Sequence, residues 1–216
     1  MPKFLSQSRS PFLWSIFQFI LGGTVDKRKL CMSKYGNQKR ILEIGCSLGN
    51  IASVFINCQI DYTGIDIDPV VINYAKKKFY NLSNFHFYCA DIGNIKLDHK
   101  FDYVLVAGVL HHIDDKTVKN ILQSVEKWSE NSATIIIVDP LLPQQNDSWL
   151  VRNFIKLEQG CYLRDDQHVK KLLECISGLT LIDASIHYIT GTPFPFLKCA
   201  RFGVYYVKKQ QNRLVL

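Results

Sequence analysis

Apolar and polar positions along the chain follow two alternating periods. Apolar runs of strand length recur at residues 41–45, 60–66, 85–89, 101–107 and 133–138. The last of these is almost wholly apolar, as a parallel strand covered on both faces should be. Between the runs the spacing becomes helical, with Val71, Tyr74, Ala75 and Lys78 on one face and Val118, Ile121, Leu122, Val125 and Trp128 on another. Val169, Leu172, Leu173 and Ile176 mark a third amphipathic helix, and a helix through Ile51 and Phe55 is expected after the first strand. Asp68-Pro69, Asp114 or Asp115, and Asp165 or Asp166 supply start signals for these helices. Two late strands, 179–188 and 200–207, flank the turn-rich Thr190-Gly-Thr-Pro-Phe-Pro. Strand and helix alternating in this way predict a layered α/β domain with seven strands.

Two segments stand outside the alternation. Residues 11–21 form an apolar stretch preceded by Lys3 and Arg9, and Gly22-Gly23 separates it from a second helix running from Thr24 to about Tyr35. The stretch is too short to span a bilayer and no small-residue cleavage site follows it. Residues 1–36 are therefore expected to form a helical cap or lid, and 37–216 the main domain. Pro140 and Pro143 break the chain after the fifth strand, leaving a long insertion at 140–164 on the substrate side. In it Trp149, Arg152, Glu158 and Tyr162 are candidates for a cap, with Trp149 and Phe154 expected as its small apolar core.

Composition narrows the class. At 216 residues and 47% hydrophobic content the chain suffices for one compact domain with a substantial core. Seven cysteines without regular spacing do not read as a disulfide framework, and no Cys/His cluster has metal-ligand spacing. A reducing, cytoplasmic location and no metal are expected. The net charge of +7 gathers at 27–29, 39–40, 76–78 and 208–209. These runs read as solvated helix faces, and they lack the interleaved aromatics that single-stranded nucleic acid requires, so no nucleic-acid partner is expected. The apolar N-terminal helix leaves contact with a membrane surface open, and nothing in the sequence sets an oligomeric state.

Four motifs end consecutive strands: Glu43-x-Gly45-x-x-x-Gly49, Gly64-Ile-Asp66, Cys89-Ala-Asp91 and a fourth running from Phe101 through Ala107, Gly108 and Val109 to His111-His112. A glycine turn after a first strand lets backbone amides approach a ligand, and a carboxylate ending the second strand can accept two ribose hydroxyls. Over roughly residues 25–140 this series resembles the class I S-adenosylmethionine-dependent methyltransferases. The Leu21-Gly-Gly break before a basic helix also looks like a widespread bacterial branch of that family acting on small molecules. The resemblance implies a doubly wound, Rossmann-like sheet of seven strands with helices on both faces and the last strand antiparallel. It implies S-adenosylmethionine as cofactor. Glu43 and the backbone of Gly45, Cys46, Ser47 and Gly49 would hold its methionine part and ribose side. Asp66 would take the ribose hydroxyls and Ile67 would lie against the adenine. Asp91 with the Ile92 amide would meet the adenine edge, and Ala107, Gly108 and Val109 would pass beside the sulfonium. Ser47 departs from the family, which often has glycine there.

Each position also has a plain structural reading: glycine for backbone geometry, Asp66 and Asp91 as helix caps. A nicotinamide dehydrogenase fits less well, since Gly-x-Gly-x-x-Gly is absent. His112 and His111 are the candidate bases, because they follow the fourth strand, where an acceptor approaches. Asp139 and Arg152 are candidates for substrate contact. The expected activity is methyl transfer to an oxygen or nitrogen of a small-molecule acceptor. Two rivals are a non-catalytic partner subunit built on this fold and a lipid methyltransferase seated on a membrane surface.

Overall fold

The computed structural model describes residues 12, 13, 16, 24–154, 160–190 and 198–210. The expected helix at 11–21 lies outside the described residues apart from Phe12, Leu13 and Ile16, which are helical and exposed. Seven strands form a single sheet: β1 (Arg40–Ile44), β2 (Asp61–Asp66), β3 (Phe85–Cys89), β4 (Phe101–Ala107), β5 (Ser129–Pro140), β6 (Leu179–Thr190) and β7 (Lys198–Lys209). Their spatial order is β3-β2-β1-β4-β5-β7-β6. The first five run parallel, and β7 is antiparallel to both β5 and β6. The doubly wound sheet with an antiparallel last strand is thus as expected.

The helices are α1 (Thr24–Met32), α2 (Pro69–Lys78), α3 (Asp115–Trp128), α4 (Trp149–Phe154) and α5 (Asp166–Glu174). Three begin at the anticipated aspartates. Asp68 accepts from the Val70 amide ahead of Pro69, Asp114 from Thr117 and Asp165 from His168. Each cap satisfies an amide that the first turn leaves without a partner, worth about 1 kcal/mol. One apolar layer gathers Tyr62, Phe79, Phe85 and Phe87 beside α1 and α2. The opposite layer packs Val104, Val106, Ile135 and Ile137 against α3 and α5.

Two expectations are corrected. The helix predicted after β1 is a single 3-10 turn, Ala52–Phe55. Its apolar residues Ile51, Ala52 and Phe55 are buried as predicted, but a cradle occupying residues 45–50 uses up the length a full helix would need. Trp149, expected in the core of the insertion, is 69% exposed, while Val151 on the opposite side of α4 is buried. The Phe154 side chain lies outside the described residues. Among the described residues no helix is long and apolar enough to cross a membrane.

Candidate functional site

The strand order reverses between β1 and β4, and in open α/β sheets ligands bind in the crevice beyond the carboxyl ends at such a point. A cavity of about 890 Å³ opens there. Its wall includes Glu43, Gly45, Cys46, Ser47, Asp66, Ile67, Asp91 and Ile92 from the first three strand-end motifs, without Gly49, and Ala107, Gly108, Val109, His111 and His112 from the fourth.

Local backbone geometry explains the glycines. Gly45 sits at φ +74°, and a Cβ on it would come within 2.3 Å of Val109 Cγ2. Gly49, at φ +67°, faces the Phe79 ring at 2.6 Å from the same hypothetical atom. Ser47 also has positive φ, +49°, where a residue with a Cβ carries strain on the order of 1 kcal/mol. That is the cost of serine where the family often has glycine. The strained turn is held by Asp66, whose Oδ2 accepts the Ser47 amide at 2.9 Å while Oδ1 accepts Asp68 N at 3.0 Å. A carboxylate has about four lone-pair directions, so acceptor capacity remains for hydroxyls. Burial raises the Asp66 carboxyl above its usual range, against the Asp68, Ser47 and Ile67 amides that lower it. Asp66 is not the helix cap weighed from the sequence, a place Asp68 takes; it fixes the glycine loop and keeps acceptor capacity in the cavity.

Around it the wall is graded. Ile67 is 76% exposed, an apolar side chain turned outward at the rim. Asp91 accepts from Gly93 N at 2.8 Å, and Ile92 is buried beneath. At the other end Glu43 is only 2% exposed and accepts the Tyr62 hydroxyl. Burial pushes its carboxyl up to about 8. Gly108 (φ +71°) bends the exit of β4, with its amide held by Val138 O at 2.7 Å.

The two histidines differ. His111 is 3% exposed, with Nδ1 3.1 Å from Asp139 Oδ1, which also accepts the Leu110 amide at 3.1 Å. His112 is exposed on the cavity wall, its ring centroid 3.9 Å from that of His111. Asp139 and Arg152, expected at the substrate, do not line this cavity. Asp139 lies buried under the 3-10 turn Leu110–His112, and Arg152 is exposed on α4.

Sequence reasoning missed two residues. Lys27 reaches the cavity, its Nζ 4.0 Å from where a Cβ on Gly108 would sit. Arg164 is buried and clamps the histidine turn, donating to Leu110 O at 2.6 Å, Ile113 O at 2.7 Å and Tyr162 O at 2.9 Å while pairing with Asp115. A lone arginine at the end of an insertion gives no sequence signal. Lys27 had one, since a helix can turn only part of a Lys-Arg-Lys run inward.

Sheet order, reversed switch point and glycine cradle together define the class I methyltransferase fold. Residues 41–131 match the family described as "Methyltransferase domain". That matched segment holds the first three strand-end motifs and the whole of the fourth, and through it the chain is similar to the class I S-adenosylmethionine-dependent methyltransferases. A malonyl-[acyl-carrier protein] O-methyltransferase of Acetivibrio thermocellus is 34% identical over 90 residues, 40% of this chain and 31% of that protein. One of Ilyobacter polytropus is 30% identical over 95 residues, 42% of this chain and 35% of that protein. The matched segments thus span about a third of the curated relatives' length. The N-methyltransferase NodS of Bradyrhizobium japonicum, solved with S-adenosylhomocysteine, shares the fold at TM-score 0.65 and 16% identity, over 87% of this chain and 86% of that one. The mitomycin 7-O-methyltransferase MmcR does so at TM-score 0.66 and 16% identity, over 86% and 54%.

The cavity suits the family's cofactor. It offers a carboxylate with acceptor capacity left, an apolar face at Ile67, and glycine turns where a side chain would collide.

Proposed function

We propose that this chain transfers a methyl group from S-adenosylmethionine to an oxygen or nitrogen of a small-molecule acceptor. The observation that carries the reading is one continuous cavity, running from Asp91, Ile67 and Asp66 past Glu43 to Gly108 and His112. Bound there, the cofactor supplies a methyl group already activated on a sulfonium. The protein's task is to orient and to exclude water. Asp66 and Asp91 would fix the nucleoside end. Glu43, Lys27 and the bend at Gly108 would enclose the methionine end.

The acceptor would approach beside the histidine turn. His112, on the cavity wall, is the candidate to take a proton from an acceptor that arrives as a hydroxyl or ammonium. An acceptor already carrying an anionic oxygen needs no base, and the malonyl-[acyl-carrier protein] relatives make a carboxylate a natural first choice for screening. His111, tied to Asp139, positions the turn. Seven free cysteines support a reducing, cytoplasmic setting. We assign residues 1–36 as a cap over this site and 140–164 as its substrate-side insertion.

Calorimetric titration with S-adenosylhomocysteine tests the reading without knowledge of the acceptor. One-to-one binding in the micromolar range is expected. A folded protein that binds neither this ligand nor S-adenosylmethionine overturns it.

A further inference from the structure

Charge is unevenly spread over the cavity wall. Glu43, Asp66, Asp68 and Asp91 stand at or just beyond the ends of β1, β2 and β3, so that side of the wall is a row of carboxyl groups. Among the described residues the lysines in the wall are Lys27 and Lys127. Lys127 belongs to the last turn of α3, with its ammonium 4.7 Å from the centre of the Trp128 ring. It lies about 15 Å along the helix from Thr117, where α3 enters the wall.

Lys27 stands apart from both groups. It is half-buried on α1, its ammonium 5.1 Å from the centre of the buried Phe202 ring of β7. The same ammonium is 4.0 Å from where a Cβ on Gly108 would sit, and His111 Cε1 is 3.9 Å from that point. Glu43 is near as well. The fully buried Cys31 thiol, pushed up first by burial, is pushed further by Glu43 and drawn back by Lys27, so both groups act at one spot. The neighbours of Lys27 fix its place. Asp26 accepts from Thr190 N at 2.8 Å and Thr190 Oγ1 at 3.0 Å, and Arg28 Nε donates to Asn50 O at 2.8 Å in the glycine cradle. Further along, Cys31 O accepts the Tyr103 hydroxyl. A helix tied down on both sides of Lys27 presents its ammonium without having to be ordered by the ligand.

A ligand that bears a carboxylate is therefore guided to one part of this cavity. Along the strand ends it would face other carboxyl groups, and like charges so close repel. At Lys27 it meets an ammonium in a partly enclosed space, where a charge-assisted hydrogen bond is strong.

We propose that Lys27 is the carboxylate-binding residue of this site and makes it select ligands that carry that group. The inference rests on the cofactor reading above and goes beyond it, because Lys27 lies outside the matched segment 41–131. Two carboxylates can reach it: that of the cofactor's amino acid tail, and that of an anionic acceptor held beside Gly108. The first is the expected occupant, since donor and product both bring it whatever the acceptor. With it, α1 changes from a cover into part of the cofactor site. A nucleoside thioether without the carboxylate would still find Asp66 and Asp91 but would gain nothing from the helix.

The test is calorimetric titration of the full chain with S-adenosylhomocysteine and with its decarboxylated analogue, S-adenosyl-3-thiopropylamine, which keeps the ammonium and the nucleoside. Wild type, Lys27→Met and Lys27→Arg are compared. Wild type should bind S-adenosylhomocysteine about tenfold to a hundredfold more tightly than the analogue, the scale of one hydrogen bond between charged groups. In Lys27→Met that ratio should fall to within about twofold, and Lys27→Arg should recover part of it. A ratio taken within one protein cancels any general loss of folded material. A second arm titrates malonate into each protein saturated with S-adenosylhomocysteine. Should the two nucleosides bind alike while wild type takes up malonate and Lys27→Met does not, the carboxylate is the acceptor's. Equal nucleoside ratios in wild type and Lys27→Met, with malonate bound alike or by neither, overturn the role of Lys27 and leave the cofactor reading intact. Failure of both nucleosides to bind folded wild type overturns the cofactor reading and this inference with it.

Discussion

Arg164 allows a quantitative test of how the histidine turn is held. Its guanidinium donates to three carbonyls, Leu110 O, Ile113 O and Tyr162 O, and pairs with Asp115. The arginine is 5% exposed, whereas the Asp115 side chain is 46% exposed. The ion pair is therefore screened and contributes little. The carbonyls decide the outcome. Arg164→Ala removes a charged donor from each, and a hydrogen bond to a charged group is worth about 1.5–3 kcal/mol when its partner is left unsatisfied. Water entering the vacated volume recovers part of this, leaving roughly 1 kcal/mol per carbonyl, or about 3–4 kcal/mol in all. With a urea m-value of about 2–3 kcal/mol/M, the unfolding midpoint should fall by roughly 1–2 M. Arg164→Lys, which keeps the charge but cannot reach three acceptors at once, should lose about half as much. Urea denaturation followed by circular dichroism measures both. A loss below about 1 kcal/mol for Arg164→Ala would refute the view that the turn hangs on this side chain.

Other outcomes follow from the site. Asp66→Ala should weaken S-adenosylhomocysteine binding by about one to two orders of magnitude, since it removes two hydroxyl acceptors and the anchor of the Ser47 amide; unchanged calorimetric affinity would sink the ribose assignment. Ser47→Gly should change stability by less than about 1 kcal/mol, because relief at φ +49° is offset by chain entropy. Gly45→Ala should instead cost more than about 2 kcal/mol in thermal melts, its Cβ meeting Val109 at 2.3 Å. The Glu43 carboxyl binds its proton more tightly folded than unfolded, so its stabilising contribution is complete below about pH 4.5 and lost as pH rises toward 8. Stability of the ligand-free protein should fall through that window, by up to about 1.4 kcal/mol per pH unit, and Glu43→Gln should flatten the decline. His112→Ala should leave S-adenosylhomocysteine affinity within about twofold, since His112 faces the acceptor in the proposed reading.

The sheet was legible because an inner strand covered on both faces leaves a continuous apolar run, and the edge strand β3 an alternating one. Phe85–Cys89 and Phe101–Ala107 are observed with the expected bounds. The strand-end residues converge on one cavity because topology brings carboxyl ends together, whatever the loops do. The helix after β1 was misread because periodicity at Ile51 and Phe55 reports burial, and a 3-10 turn buries the same residues. Trp149 was misplaced on size alone, with nothing to show which side of α4 faces the protein. Asp139 was read as a substrate contact because it ends a strand at the site's edge. Its true partners, the Leu110 amide and His111, lie almost thirty positions earlier in the chain. Arg164 and Lys27 were hidden for the same reason: their roles exist only once α1 and the insertion have docked.

The late entry of β7 between β5 and β6 has a consequence for synthesis. When β5 leaves the ribosome, Ile135, Ile136, Ile137 and Val138 can pair with β4 on one side. Their other edge must wait for Val204–Val207, more than sixty residues later. At roughly 5–20 residues per second that interval lasts several seconds. An apolar strand with an open hydrogen-bonding edge is an invitation to wrong partners for all of it. Nor can β6, made before β7, cover the edge, because its place lies one strand further out. The nascent chain thus carries its chief aggregation hazard in a strand that ends up inside the finished sheet, which points to β5 as the segment a chaperone would shield.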